Sequence, residues 1–234
     1  MSAMNYVVNP SPVVSVPVVG TEAQFPVHRI YCVARNYEDH AKEMGQLNRE
    51  PPFFFMKPSD AVLVCLPGQT ANLPYPSLTS NLHHEVELVV AISTGGQNIP
   101  VDKALEHIFG YAVGLDMTRR DLQNDMKKQG RPWCIGKGFD FSAPIGPITP
   151  ATTVPDIAQA DISLQVNQTE RQRGQISQMI WNVAETIAQL STGWALQPGD
   201  LIYTGTPAGV AAVVRGDRLQ ANITGLSPID LQVV

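Results

Sequence analysis

Two apolar segments, one opening and the other ending in acid, constrain this chain more than any other feature. In His83-His84-Glu85-Val86-Glu87-Leu88 the residues run on into Val89-Val90-Ala91-Ile92, an apolar stretch that predicts a buried strand. Side chains alternate along a strand, so Glu85 and Glu87 share one face. Downstream, Tyr111-Ala112-Val113-Gly114-Leu115 ends in Asp116, which could bring a third carboxylate to the same place. Clustered carboxylates repel unless a cation lies between them, and a hard divalent ion is the usual solution. Glu-x-Glu on a half-exposed strand is also what an ordinary solvated face looks like, so the company these residues keep has to decide.

With 234 residues, 44% hydrophobic and 16% charged, the chain suits one large globular domain or one domain with an appendage. A net charge of -5 argues against a nucleic-acid footprint. Cys32, Cys65 and Cys134 are scattered, without metal-site or disulfide spacing, and a cytoplasmic setting is expected. The stretch Val13 to Val19 lacks a basic leader and is interrupted by Pro17. It reads as an appended strand and connector within residues 1–26, neither a signal peptide nor a membrane span. No membrane partner is expected.

Residues 27–234 read as many short strands with few helices, an α+β pattern with a rolled or sandwiched sheet. His28 to Ala34 is a strand, after which Asn36 is expected to cap a helix ending near Met44 and Gly45. Phe53 to Lys57 is a strand stopped by Pro58, and Pro67 to Asn81 is a loop. Pro100 is expected to open a helix that Gly110 closes. Thr118 and Asp121 read as a capping box for a helix over Arg119 to Gln129, ended by Gly130. A hairpin beyond Asp161, a helix over Asn182 to Leu190 capped by Asn182 with Glu185, and a turn at Pro198-Gly199-Asp200 complete the pattern.

Three further groupings bear on chemistry. His40 and Glu43 stand three apart on a helix face, where a carboxylate can orient an imidazole and raise its basicity; a surface pair has the same spacing. Lys137 lies between Gly136 and Gly138, which permit close backbone approach to a ligand, although loop lysines are commonly just solvated. Tyr203 to Gly209 is a strand entering a Gly/Pro turn whose amides and hydroxyls could hold a carboxylate, or simply a tight turn.

Taken together, Arg35-Asn36-Tyr37 with His40 and Glu43, Phe55-Met56-Lys57-Pro58, His83 to Leu88, Gly114 to Thr118, Lys137 with Phe139, and Thr204 to Val210 resemble the fumarylacetoacetate hydrolase family from Val27 to Val234. The resemblance implies a β-roll fold, a homodimer, a divalent metal on Glu85, Glu87 and Asp116 (Mg²⁺ first, with Mn²⁺ or Ca²⁺ as alternatives), and a His40/Glu43 dyad. It also implies Lys137 at the substrate, with Arg35, Gln123 and Thr206 binding it. Ala34 and Gln168 stand where glycine is commoner in the family, which touches turns and no reactive group. The segments Arg49 to Phe55, Leu78 to Leu82, Arg119 to Gln123 and Gly130 to Trp133 are most similar to members that hydrolyse fumarylpyruvate in gentisate breakdown. That implies hydrolysis of a C–C bond in a dianionic dioxo acid, with Arg119, Arg120 and Arg131 available for its far carboxylate. Decarboxylation or tautomerisation of oxaloacetate and isomerisation of a dienedioate are the alternatives within the family. A non-catalytic binding module stapled by an ion is the alternative outside it; such a module would need neither the dyad nor Lys137.

Overall fold

The computed structural model describes residues 5–37, 50–154 and 156–234. Among them a mixed eight-stranded sheet dominates. Its strands run in the order Phe53–Lys57, Ile30–Ala34, Leu201–Tyr203, Val86–Ile92, Ile108–Leu115, Ala143–Ile145, Val62–Val64, with Thr149–Pro150 also paired to Ile108–Leu115. A five-stranded sheet follows the order Thr169–Gln175, Asp161–Val166, Arg218–Ile223, Ile229–Val233, Ala71–Leu73. This is the mostly-β, few-helix α+β arrangement that the many short apolar runs predict. No helix among the described residues is long and apolar enough to cross a membrane.

Every residue of Val86–Ile92 is buried because the large sheet is covered on both faces. Leu88, Val90 and Ile92 enter the core shared with Ile162, Leu164, Leu219 and Ile187, which lies toward the five-stranded sheet and the helix Val183–Gly193. Val89 and Ala91 point the other way, into a second core with Ile30, Cys32, Leu201 and Tyr203. That face is closed by Val16, Val18 and Phe25 from a short hairpin, Ser15–Pro17 against Gln24–Pro26. The face carrying Val89 and Ala91 also carries Glu87 and Glu85. The carboxylates therefore occupy what would otherwise be core positions at the strand's start.

Several local expectations hold. Asn182 accepts from the Glu185 amide and Glu185 reaches back to the Asn182 amide, a complete capping box on Val183–Gly193. Gly130, at φ +62°, follows the helix Arg120–Lys128, and Gly199 sits at φ +93° in the expected turn. Others are corrected. Pro100 opens only a 3₁₀ segment, Val101–His107. Gly110 lies inside the strand Ile108–Leu115, where a Cβ would collide with the Thr149 carbonyl, so its glycine serves sheet packing rather than a helix end. The loop Pro67 to Asn81 contributes the strand Ala71–Leu73, parallel to Ile229–Val233, because Leu73 alternates into the core. The Thr118/Asp121 capping box does not form: the helix Arg120–Lys128 has no side-chain cap. Thr118 pairs with His83 in a strand, while Asp121 accepts from Thr79 and the Ser80 amide.

The hairpin from Asp161–Val166 to Thr169–Gln175 turns at Asn167 and Gln168, with φ of 51° and 65°. Left-handed backbone costs a β-carbon residue about 1–2 kcal/mol, partly offset by the extra freedom that glycine loses on folding. Gln168→Gly is expected to stabilise the fold by about 0.5–1 kcal/mol. A higher urea midpoint at unchanged slope checks this; an unchanged or lower midpoint contradicts it.

Candidate active site

The strand register assembles the three carboxylates. Val86 pairs with Leu115 and Glu87 with Gly114, and the Asp116 amide donates to the Glu85 carbonyl at 2.9 Å. Asp116 therefore stands across from Glu85 on the same face. Gly114 has to be glycine, since a Cβ there would lie 2.7 Å from the Tyr203 ring. Oxygen atoms of Glu85, Glu87 and Asp116 lie within 4.8 Å of one another, and all three residues are buried.

Two of the three buried carboxylates, Glu85 and Asp116, are held by buried cations. The Lys137 ammonium donates to Glu85 Oε2 at 2.9 Å, Asp116 Oδ2 at 2.5 Å and Thr118 Oγ1 at 2.7 Å. Lys57 Nζ lies 2.8 Å from Asp116 Oδ1 and donates to the Met117 and Lys137 carbonyls. Arg120 pairs with the other oxygen of Glu85 and donates to Gln123 Oε1 at 2.6 Å. Burial pulls the Lys137 ammonium down, but Asp116 and Glu85 outweigh it and leave its pKa above the ordinary lysine value. Among the described residues, the Glu87 carboxylate accepts from the Gly205 amide, at 2.8 Å, and pairs with no cation. Burial, then the charges of Asp116 and Glu85, push its pKa well above the usual carboxylate range. An all-oxygen donor set of this kind, still short of positive charge at Glu87, fits a hard divalent cation.

The cleft that includes the cluster is lined by Arg35 and its neighbours Val33 and Ala34, by Phe55 and Trp133, and by the polar side chains of Arg120, Gln123, Lys127, Lys137 and Thr206. Thr206 is set by a buried relay. Gln172 accepts from His84 Nδ1 at 2.8 Å and from the Val86 amide at 3.1 Å. Its amide nitrogen donates to Thr206 Oγ1 at 2.7 Å and to the Pro207 carbonyl at 2.8 Å. Because Thr206 Oγ1 accepts here, its own hydrogen is left to donate elsewhere. Burial lowers the His84 pKa, and the bond to Gln172 opposes this. His83 is likewise pushed down to about 4, by burial and then by Arg120.

Arg35, Gln123, Lys137 and Thr206 thus meet at one cleft with the three carboxylates. His40 and Glu43 lie outside the described residues, as does the helix Asn36 was expected to cap. Asn36 itself donates to the Trp181 and Thr204 carbonyls and accepts from the Trp181 amide, locking the turn that carries Arg35. Lys137 is no solvated loop lysine: it is buried at the end of a short turn of helix, Cys134–Lys137. Two of the three arginines expected at the far end of the substrate are placed elsewhere. Arg119 lies 4.4 Å over the Phe139 ring and donates to the Ile135 carbonyl, and Arg131 is exposed outside the cleft. Lys57 and Gln172 are site residues that the sequence pattern alone does not assign. Lys57 left a signal, since the two-residue period from Phe55 puts it on an inward face; Gln172, in the polar run Arg171-Gln172-Arg173, left none.

This sheet architecture with a carboxylate-and-lysine cleft defines a family. Residues 29–234 match the model of the fumarylacetoacetate (FAA) hydrolase C-terminal domain, and the chain belongs to the fumarylacetoacetate hydrolase family. A crystal structure of fumarylpyruvate hydrolase from Pseudomonas aeruginosa, in complex with Mn²⁺ and pyruvate, superposes with a TM-score of 0.97 at 55% identity, covering 98% of this chain and 99% of that one. A fumarylpyruvate hydrolase of Ralstonia sp. is 47% identical over 184 residues, 79% of this chain and 93% of its own. The mitochondrial oxaloacetate tautomerase of Arabidopsis thaliana is 40% identical over 205 residues, 88% of this chain and 90% of its own.

Proposed function

We propose that this protein is a divalent-metal-dependent acylpyruvate hydrolase whose main substrate is fumarylpyruvate, cleaved to fumarate and pyruvate in gentisate breakdown. The charge balance of the cleft carries this reading. Three cations, Lys57, Lys137 and Arg120, pair with Glu85 and Asp116, and Glu87 adds a third carboxylate, so a divalent ion would leave the cluster with a positive excess that complements a dianion. An ion that merely stapled loops would need no such excess. The P. aeruginosa and Ralstonia hydrolases support the substrate, and the Mn²⁺ in the former supports a divalent ion here, with Mg²⁺ the expected physiological choice.

When bound on Glu85, Glu87 and Asp116, the ion would supply Lewis-acid polarisation of the dioxo acid's oxygens. The Lys137 ammonium stabilises negative charge developing on the pyruvyl part. The Thr206 hydroxyl and the amide nitrogen of Gln123 donate to its carboxylate. His40, oriented by Glu43, takes a proton from the water that adds to the 4-keto carbon. The bond from that carbon to C3 then breaks, releasing the acid and the enolate of pyruvate, which is protonated in turn. The protein is proposed to act in the cytoplasm as a homodimer, without nucleic-acid or membrane partners.

Loss of the near-ultraviolet absorbance of enolised substrate, followed with Mg²⁺ or Mn²⁺ present, tests the reading. Fumarylpyruvate is expected to give a higher kcat/KM than acetylpyruvate, and oxaloacetate the lowest. Oxaloacetate as the best substrate would instead favour the reading that the Arabidopsis relative suggests.

A further inference from the structure

We infer that Lys127 and Arg35 form a second anion subsite at the cleft, where they receive the far carboxylate of a dicarboxylic substrate and so set its specificity; this deepens the proposed acylpyruvate reading and rests on it. Both side chains line the cleft. Neither pairs with a carboxylate among the described residues, whereas Lys57, Lys137 and Arg120 are each bound to one. The Lys127 ammonium, half-buried, stands 6.0 Å from the centroid of the Trp133 ring. Trp133 packs against Phe53 and Phe55, giving the cationic end an aromatic wall suited to a flat, conjugated acyl chain. Burial and then the positive charges of Arg35 and Arg120 lower the Lys127 pKa; Arg120 is already paired with Glu85, which leaves Lys127 and Arg35 as the cleft cations without a carboxylate partner among the described residues.

Arg35 is held where it is by its backbone. It has φ +57°, a conformation that a residue with a side chain keeps only when its surroundings enforce it. The enforcement comes from Asn36, bonded on both ends of its amide. Gly205, at φ +97°, lies so close that a Cβ there would come within 2.7 Å of Asn36 Cβ. A turn fixed this firmly aims a guanidinium, and the fork of Arg beside the point charge of Lys suits a carboxylate.

Lys127 sits near the end of the helix Arg120–Lys128 and touches no core residue through a hydrogen bond, so Lys127→Met should fold. The ratio of kcat/KM for fumarylpyruvate over acetylpyruvate is expected to fall ten- to hundredfold in Lys127→Met and Arg35→Met, the scale of a charge-assisted hydrogen bond, and to recover in Lys127→Arg. A second readout needs no turnover: calorimetry on the Mn²⁺-loaded protein with fumarate and with crotonate, which lacks the far carboxylate. The wild type should prefer fumarate and Lys127→Met should lose that preference. An unchanged substrate ratio, or a wild type that binds both acids alike, overturns the subsite. A wild type that prefers fumarate yet cleaves neither acylpyruvate would leave the subsite standing and remove the hydrolase reading.

Discussion

Lys137→Met is expected to lower turnover of an acylpyruvate by roughly 10²–10³-fold, the scale for removing a donor aimed at developing negative charge. Mn²⁺ binding should survive. The protein should also remain folded, because the two carboxylates that lose Lys137 each keep another cation. Glu85 retains Arg120 and Asp116 retains Lys57. The metal-free variant should nevertheless melt lower than the wild type, since Glu85 and Asp116 then keep one cation each and lose the one they share, and saturating Mn²⁺ should recover much of the difference. Inhibition by oxalate, a dianion shaped like the chelating end of the substrate, should weaken in parallel. Unchanged oxalate inhibition would place Lys137 outside the substrate site, and full activity would end its proposed role.

The sequence disclosed the scaffold through period two. Alternation around Glu85, Val86 and Glu87 assigned both carboxylates to one face, and the structure adds that the opposite face is buried too. Single-residue signals fared worse where a glycine or hydroxyl had two possible uses. Gly110 looked like a helix stop and instead makes room for the Thr149 carbonyl. Thr118 looked like a cap and instead accepts from Lys137. Both uses depend on a strand or turn distant in sequence, and local pattern carries no record of that partner. The cations of the site were harder still. Lys57 reaches Asp116 from a different strand, and Gln172 reaches His84 across 88 residues. Sequence position likewise gave no way to tell Arg119, stacked on Phe139, from Arg120, bonded to Glu85.

Asp116→Ala should be the most damaging of the three carboxylate substitutions, and the reason lies in Lys57. The Lys57 side chain is 0% exposed, and Asp116 is its carboxylate partner among the described residues. Removing that carboxylate leaves a buried ammonium with carbonyl oxygens alone, and breaking a buried pair in this way costs about 3–5 kcal/mol. Glu85→Ala is milder, because Lys137 keeps Asp116 and Arg120 lies at 8% exposure with Gln123 still accepting from it. Glu87→Ala deprives no cation of a direct partner and removes a carboxylate that resists ionisation where it stands, so the metal-free fold should tolerate it or gain. All three variants should lose Mn²⁺ binding by calorimetry together with activity. The ranking of urea midpoints, Asp116→Ala lowest and Glu87→Ala highest, separates the two roles of these residues. The double variant Asp116→Ala/Lys57→Met should recover stability without recovering metal or turnover, since it removes the stranded charge but not the missing ligand. Equal midpoints for the three single variants, or no recovery in the double variant, would mean that Lys57 is not held in place by Asp116.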